Sequence, residues 1–170
     1  PSIYLDMTAE DNLRMQYRVL GLPSFEGIED VLKMVGLENT GRKKVKDFSL
    51  GMRQRLGIAV AIVGDPDFLI LDEPINGLDP QGIVEMREII LKLNREYGIT
   101  VLISSHILDE LSRLATYFGF IDNGRMVKEI SASELEAACR KCMHLVVSDV
   151  KALSKVLDEI GMDYTILSDT

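Results

Sequence analysis

Apolar residues recur at the spacing of a helix face in the first third of the chain. One such face carries Leu13, Tyr17 and Leu20, and its helix starts with a capping-box pair, Thr8 and Asp11. Because a polar cap precedes each apolar periodic run, three helices are predicted in this part of the chain. They begin after the caps Thr8, Ser24 and Ser49 and end near Gly21, Gly36 and Val63.

The middle of the chain alternates between short apolar runs and periodic segments. Phe68–Leu71 is a continuous apolar run between acidic turns, which predicts a strand buried on both faces of a parallel sheet. A second buried strand is predicted over Ile99–Ile103, and Asp79 before Pro80 predicts the start of the helix between the two strands. This order indicates an α/β core. A helix over 107–114 and a hairpin with strands over 117–121 and 125–130 follow.

The last part of the chain starts with another capping box, Ser131 with Glu134, which predicts a helix to about Lys141. Beyond that helix, the alternation of strand and helix patterns begins again. It predicts a small βαβ-like unit with a strand over 145–147, a helix over 150–160 and a strand over 164–167.

Composition and charge narrow the class of protein. Hydrophobic residues make up 46% and charged residues 27%, as in a soluble globular domain, and no apolar run approaches the roughly 18 residues that span a bilayer. The net charge of −8 disfavours a nucleic-acid partner. Cys139 and Cys142 form a single CxxC without the further ligands that zinc needs, so two reduced cysteines on a helix are predicted.

Three segments contain residues suited to chemistry. Asp72 and Glu73 end a predicted strand, where one carboxylate can hold Mg²⁺ and the other can orient an attacking water, although acidic turn residues are also common there. Ser49 and Gly51 at a helix start can form an anion site, or Ser49 can be a plain helix cap. His106 follows the second strand, where ligands bind in open α/β sheets, but a single histidine can also be structural.

Together these segments resemble the nucleotide-binding domain of ABC transporters, over about residues 1–130. Their order and spacing are similar to those of the family. The motifs concerned are the signature motif (Phe48-Ser49-Leu50-Gly51-Met52), Walker B with its adjoining glutamate (Phe68 to Glu73), the D-loop (Asn76-Gly77-Leu78-Asp79) and the H-loop (Ser104-Ser105-His106).

The resemblance implies roles for these residues. Asp72 would hold Mg²⁺, Glu73 would be the general base, and His106 would contact the γ-phosphate of ATP. The signature residues would contact a nucleotide held by a second ATPase subunit, and the D-loop aspartate would signal across the same interface. The residues concerned are Ser49, Leu50, Gly51, Met52 and Asp79; Met52 stands where the family usually has glutamine, which puts one polar contact in doubt.

The implied fold is α/β, a partial P-loop NTPase core of the ABC ATPase type with a helical subdomain. Residues 1–65 would form the helical subdomain and the signature helix. Residues 66–130 would form the C-terminal part of a RecA-like core, and residues 131–170 the start of a small C-terminal α/β domain with the βαβ-like unit.

One family motif is absent from the 170 residues, because no G-x-x-x-x-G-K-[ST] phosphate-binding loop occurs in them. We therefore expect a chain truncated before Pro1, which binds ATP poorly and is inactive alone. We also expect it to self-associate through open sheet edges.

The segment Leu71–Ile83 is similar to bacterial bacitracin- and lantibiotic-resistance ATPases. This resemblance implies export of an antimicrobial peptide or drug, with ATP and Mg²⁺ as cofactors. The implied partners are a membrane permease and a second ATPase subunit but no nucleic acid, and the implied location is the cytoplasmic face of the cell membrane. The alternatives are a non-transport ABC ATPase and a chain that acts only as an interaction module.

Overall fold

The computed structural model describes residues 3–139 and 145–166 of the chain. The chain divides into two compact units, Pro1–Phe118 and Gly119–Thr170. The first unit contains α1 (Ala9–Val19), α2 (Ile28–Met34), α3 (Leu50–Ile62), β1 (Phe68–Asp72), α4 (Pro80–Arg95), β2 (Thr100–Ser104) and α5 (Leu108–Ser112).

Three helices of the first unit start at the side-chain caps that the sequence predicts. The side-chain oxygens of Thr8, Ser49 and Asp79 accept backbone N–H groups of the first turns of α1, α3 and α4 at 3.1, 3.2 and 3.1 Å. Each such bond satisfies an N–H that has no partner within the helix. The predicted starts of these three helices are therefore confirmed.

The predicted cap of the second helix is wrong. Gly27, with a φ of 89°, is the residue that precedes α2, and no side chain caps this helix. The Tyr17 hydroxyl donates to the carbonyl oxygen of Glu26 at 2.8 Å, and the Tyr17 ring lies 6.1 Å from that of Phe25. Because these tertiary contacts hold the segment after Ser24 in a non-helical path, the helix begins only beyond Gly27.

β1 and β2 form a parallel two-stranded sheet in which Asp72 pairs with Ser104. The prediction that β1 is buried on both faces is wrong: Leu71 is only 8% exposed, whereas its neighbour Ile70 is 67% exposed. On β2, Leu102 is likewise exposed. Successive side chains of a strand point to opposite faces, and in the first unit the hydrophobic core lies against one face only.

The core of the first unit forms where α1 to α4 pack together and against the covered face of the sheet. Ion pairs also connect α4 to α3 and to α5. Arg55 on α3 lies 3.4 Å from Glu85 on α4, and Arg87 on α4 lies 2.6 Å from Glu110 on α5. The residues that are most completely buried include Leu13, Leu37, Leu56, Met86 and Leu93.

The described part of the second unit, up to residue 139 and over 145–166, contains a hairpin and two helices. β3 (Tyr117–Asp122), whose first two residues belong to the first unit, pairs with β4 (Arg125–Ser131), and α6 (Ala132–Ala138) and α7 (Val150–Glu159) follow. Asn123 and Gly124 both have positive φ, as the tight turn of a hairpin requires. The capping box of Ser131 and Glu134 starts α6 as predicted.

Two predicted strands of the second unit do not form. Residues 145–147 and 164–166 are not in strands, and Leu167 lies outside the described residues. A strand needs a neighbour to pair its backbone groups, and apolar alternation alone does not supply one. Cys139 follows α6 as an exposed free thiol, and Cys142 lies outside the described residues.

Within residues 3–139 and 145–166, none of the helices combines the length and the apolar character that crossing a membrane requires.

Candidate functional site

The carboxyl end of the β1–β2 sheet carries the acidic pair and the histidine that the sequence singles out. Asp72 is the last residue of β1, Glu73 follows it, and His106 comes two residues after β2 ends. The Nδ1 atom of His106 lies 3.0 Å from each carboxylate oxygen of Glu73. Parallel strands end at the same edge of a sheet, which is why residues 33 positions apart come into contact.

Glu73 has a left-handed backbone conformation with a φ of 47°. This region disfavours residues that carry a Cβ, by about 1–2 kcal/mol. The N–H of Glu73 donates both to the Ser104 carbonyl oxygen at 3.2 Å and to the Ser104 hydroxyl at 3.0 Å. These bonds hold Glu73 in the turn that leads from β1 towards the loop over residues 74–79.

Ser104 is a residue of this site to which sequence reasoning assigned no role of its own. Its hydroxyl donates to Asp72 Oδ1 at 2.5 Å while it accepts the Glu73 N–H. The signal that would have found it is the parallel register, because Ser104 is paired directly with Asp72. The sequence alone does not give that register.

Asp72 and Glu73 are among the residues that line a cleft of about 450 Å³. Its walls come from α3, through Arg53 and Gln54, and from the end of β1 with Asp72 and Glu73. The side chain of Glu73 is 34% exposed and that of His106 is 63% exposed. A solute can therefore reach both side chains, and Glu73 is the one of the two that lines the cleft.

The signature segment lies against the loop that resembles the D-loop. The side-chain amide of Gln54 donates to the Asn76 carbonyl oxygen at 3.1 Å. A Cβ at Gly77 would lie 3.1 Å from Leu50 Cδ2, so these two residues are in close contact. The predicted site residues thus form two groups: Asp72, Glu73 and His106 at the sheet edge, and Ser49, Leu50, Gly51, Met52 and Asp79 around the starts of α3 and α4.

In the second group, two side chains already act as caps. The Ser49 hydroxyl accepts the Met52 N–H, and Asp79 Oδ1 accepts the Gly82 N–H. A serine hydroxyl that accepts one hydrogen bond still has its own proton to donate. Ser49 is therefore able to donate to an anion at the start of α3, where the partial positive charge of the helix end also favours one.

Comparisons with known proteins indicate the class of protein. Residues 2–76 match the family model described as ABC transporter. The chain is similar to a component of an ABC transporter complex from Clostridium perfringens, with a TM-score of 0.69 and 23% identity, over 92% of this chain and 59% of that one. The predicted fold class, a partial P-loop NTPase core of the ABC ATPase type, is therefore confirmed.

Relatives with higher sequence identity include ATP-binding proteins named for particular transported compounds. The bacitracin transport ATP-binding protein of Enterococcus faecalis is 46% identical over 158 residues, which cover 93% of this chain and 51% of the relative. The lantibiotic transport ATP-binding protein of Streptococcus pyogenes is 48% identical over 136 residues, covering 79% of this chain and 58% of the relative. The chain spans about half the length of these relatives and is homologous to ATP-binding proteins of ABC transporters.

Proposed function

We propose that this chain is part of the ATP-hydrolysing subunit of a bacterial ABC transporter that exports an antimicrobial peptide or drug. The observation that carries the proposal is the contact of His106 with both carboxylate oxygens of Glu73, beside Asp72 at the end of a parallel sheet. A base, a residue that orients it and a carboxylate for a metal ion are the groups that hydrolysis of a phosphoanhydride requires.

Glu73 is the proposed general base. An ionised carboxylate only accepts hydrogen bonds. With Glu73 ionised, His106 Nδ1 is therefore the donor, and its N–H points towards both carboxylate oxygens. This bond fixes the direction of the carboxylate, which can then take a proton from water that enters the cleft. The opposite ring nitrogen, Nε2, is left for the γ-phosphate of ATP, to which it would donate with the ring as an imidazolium, since only that form carries a proton on both nitrogens.

Asp72 suits a magnesium ion. Its Oδ1 accepts the Ser104 hydroxyl, and no hydrogen bond to its second oxygen occurs within the described part of the chain. Mg²⁺ prefers anionic oxygen ligands and keeps several waters, so one carboxylate with nucleotide phosphates is an adequate set of ligands. When bound, the ion would neutralise charge on the phosphates. Asp72 would hold it, and Ser104 would hold Asp72.

The second group of residues would serve a nucleotide on another ATPase subunit. Ser49 and the first turn of α3, with Leu50, Gly51 and Met52, would bind its γ-phosphate. Asp79, at the start of α4, would transmit the state of that nucleotide across the interface. The contacts between the signature segment and residues 76–77 support this proposal, because they couple the two segments within one subunit.

The proposed partners are a membrane permease and a second ATPase subunit, which would place the protein at the cytoplasmic face of the membrane without nucleic acid. The functions named for the relatives, bacitracin transport and lantibiotic transport, support an antimicrobial cargo. Residues 1–65 would form the helical subdomain that touches the permease. Residues 66–130 would form part of the ATPase core, and residues 131–170 would begin a small C-terminal domain.

The test uses the protein expressed from its complete coding sequence. Glu73→Gln should lower ATP turnover by about 100- to 10,000-fold, because the base is lost, while binding of a fluorescent ATP analogue is retained. The matched control is Glu96→Gln, an exposed glutamate at the end of α4, which should leave turnover unchanged. Normal hydrolysis by the Glu73 variant would remove this residue from the role of base.

The 170-residue chain is the second arm of the same experiment. It contains no phosphate-binding loop with its lysine, so we expect it to bind the ATP analogue weakly and to hydrolyse no ATP. Sub-millimolar, Mg²⁺-dependent binding by this chain would contradict the proposal.

A further inference from the structure

We propose that Ser104 is a positioning residue that sets the geometry of both acidic residues through its single hydroxyl group. The hydroxyl donates to Asp72 Oδ1 at 2.5 Å and accepts the backbone N–H of Glu73 at 3.0 Å. The inference rests on the proposed ATPase function, and it adds a residue for which neither the motifs nor the comparisons give a role.

The position of the hydroxyl follows from the sheet. In the parallel register Asp72 pairs with Ser104, so the side chains of the two strand ends lie side by side. A hydroxyl is the smallest group that both donates and accepts, and this one uses each capacity on a different neighbour. Alanine and valine can make neither bond, whereas threonine can make both.

The consequence for Asp72 concerns its freedom of rotation. With one oxygen held by Ser104, the other is presented in a single direction, and a metal ion that binds there finds a preorganised ligand. Groups that hold a metal ligand in place typically affect metal affinity or activity by about 10- to 100-fold when they are removed.

The consequence for Glu73 concerns its backbone. This residue adopts a left-handed conformation with a φ of 47°, which a residue with a Cβ does not favour. The Ser104 hydroxyl adds a second acceptor to the bond that the Glu73 N–H makes with the Ser104 carbonyl oxygen. Loss of the hydroxyl weakens the hold on the turn, and the carboxylate that contacts His106 becomes less well placed.

The experiment compares two variants of nearly equal shape in the protein expressed from its complete coding sequence. Ser104→Thr keeps the hydroxyl, and Ser104→Val replaces it by a methyl group. We expect the valine variant to need about 10-fold more Mg²⁺ for half-maximal turnover and to have a kcat lowered about 10-fold, with KM for ATP changed by less than about 3-fold. The threonine variant should stay within about 3-fold of the unaltered protein.

Two further measurements complete the design. Thr100→Ala removes a hydroxyl at the other end of β2, opposite Phe68, and should change neither the Mg²⁺ requirement nor kcat. In the 170-residue chain, amide hydrogen exchange of Glu73 should be about 10-fold faster in the valine variant than in the threonine variant, which requires no catalysis.

The outcomes separate this inference from the proposed function. If Glu73→Gln abolishes turnover but Ser104→Val keeps the normal Mg²⁺ requirement and kcat, only the role of Ser104 is refuted. If threonine and valine impair the protein equally, bulk rather than the hydroxyl is responsible, and the inference also fails. If Glu73→Gln hydrolyses ATP normally, the proposed function fails, and the exchange rate of the Glu73 amide still decides whether Ser104 holds the turn.

Discussion

Gly82 lies in the first turn of α4, next to the carboxylate that caps this helix. A Cβ added at Gly82 would lie 2.7 Å from Asp79 Oδ1, the atom that accepts the Gly82 N–H at 3.1 Å. This separation is too short for a carbon and an oxygen that are not bonded, so Gly82→Ala has to displace the Asp79 side chain. The substitution therefore acts on the cap as well as on the helix.

The expected free energies follow from these two effects. Replacing glycine by alanine in a helix stabilises it by up to about 1 kcal/mol, and loss of an aspartate cap typically destabilises it by about 1 kcal/mol. Gly82→Ala alone should therefore change the free energy of unfolding by less than about 0.5 kcal/mol. In an Asp79→Ala background the cap is already absent, and the same substitution should stabilise the protein by about 0.5–1 kcal/mol.

The assay is urea unfolding of the four proteins of this double-mutant cycle, followed by circular dichroism. Gly57→Ala in the interior of α3 is the matched control, because among the described residues a Cβ there would meet only Ile3 Cδ1, at an ordinary 3.9 Å. This control should be stabilising by up to about 1 kcal/mol. Additivity of Asp79→Ala and Gly82→Ala within about 0.3 kcal/mol would refute the reasoning, since sites that do not interact behave in that way.

Two further predictions concern stability and protonation. Leu56→Ala, at a completely buried position of α3, should lower the free energy of unfolding by about 2–5 kcal/mol, whereas Leu50→Ala, half exposed on the same helix, should lower it by less than about 1 kcal/mol; equal losses in urea unfolding would contradict the packing. The Ser131 hydroxyl, and to a smaller extent the Ser131 backbone N–H, hold the pKa of Glu134 below its ordinary value. This capping box therefore stabilises the fold fully when the pH is above the ordinary pKa of glutamate, and the stabilisation decreases as the pH falls through the lowered pKa. Ser131→Ala should raise the pKa of Glu134 in an NMR titration, and an unchanged pKa would show that the hydroxyl is not its cause.

Local interactions explain why many elements could be predicted from the sequence. The caps at Thr8, Ser49 and Asp79 join residues three positions apart. Because both partners lie in one short segment, the identity of the residues in that segment is enough to predict the hydrogen bond. The start of α2 could not be predicted in this way. It depends on the Tyr17 hydroxyl bond to Glu26 and on the Phe25 ring, which are contacts between separate turns of the chain.

The candidate site also has features that could be predicted from local sequence and features that could not. Asp72, Glu73 and His106 are identifiable from motif order, because each follows an apolar run that predicts a strand. Their proximity, and the part of Ser104 in it, depend on the register of two strands that lie about 30 positions apart. A change of one residue in that register would turn Ser104 to the opposite face.

The sequence by itself determined the class of fold, the caps of α1, α3, α4 and α6 and the candidate acidic and histidine groups, since periodicity and capping operate within a few residues. Only the tertiary structure decided which face of β1 is covered, where α2 begins and which hydroxyl joins Asp72 to Glu73. The physical reason is that burial and strand pairing depend on segments far apart in the chain, whose mutual position no local pattern contains.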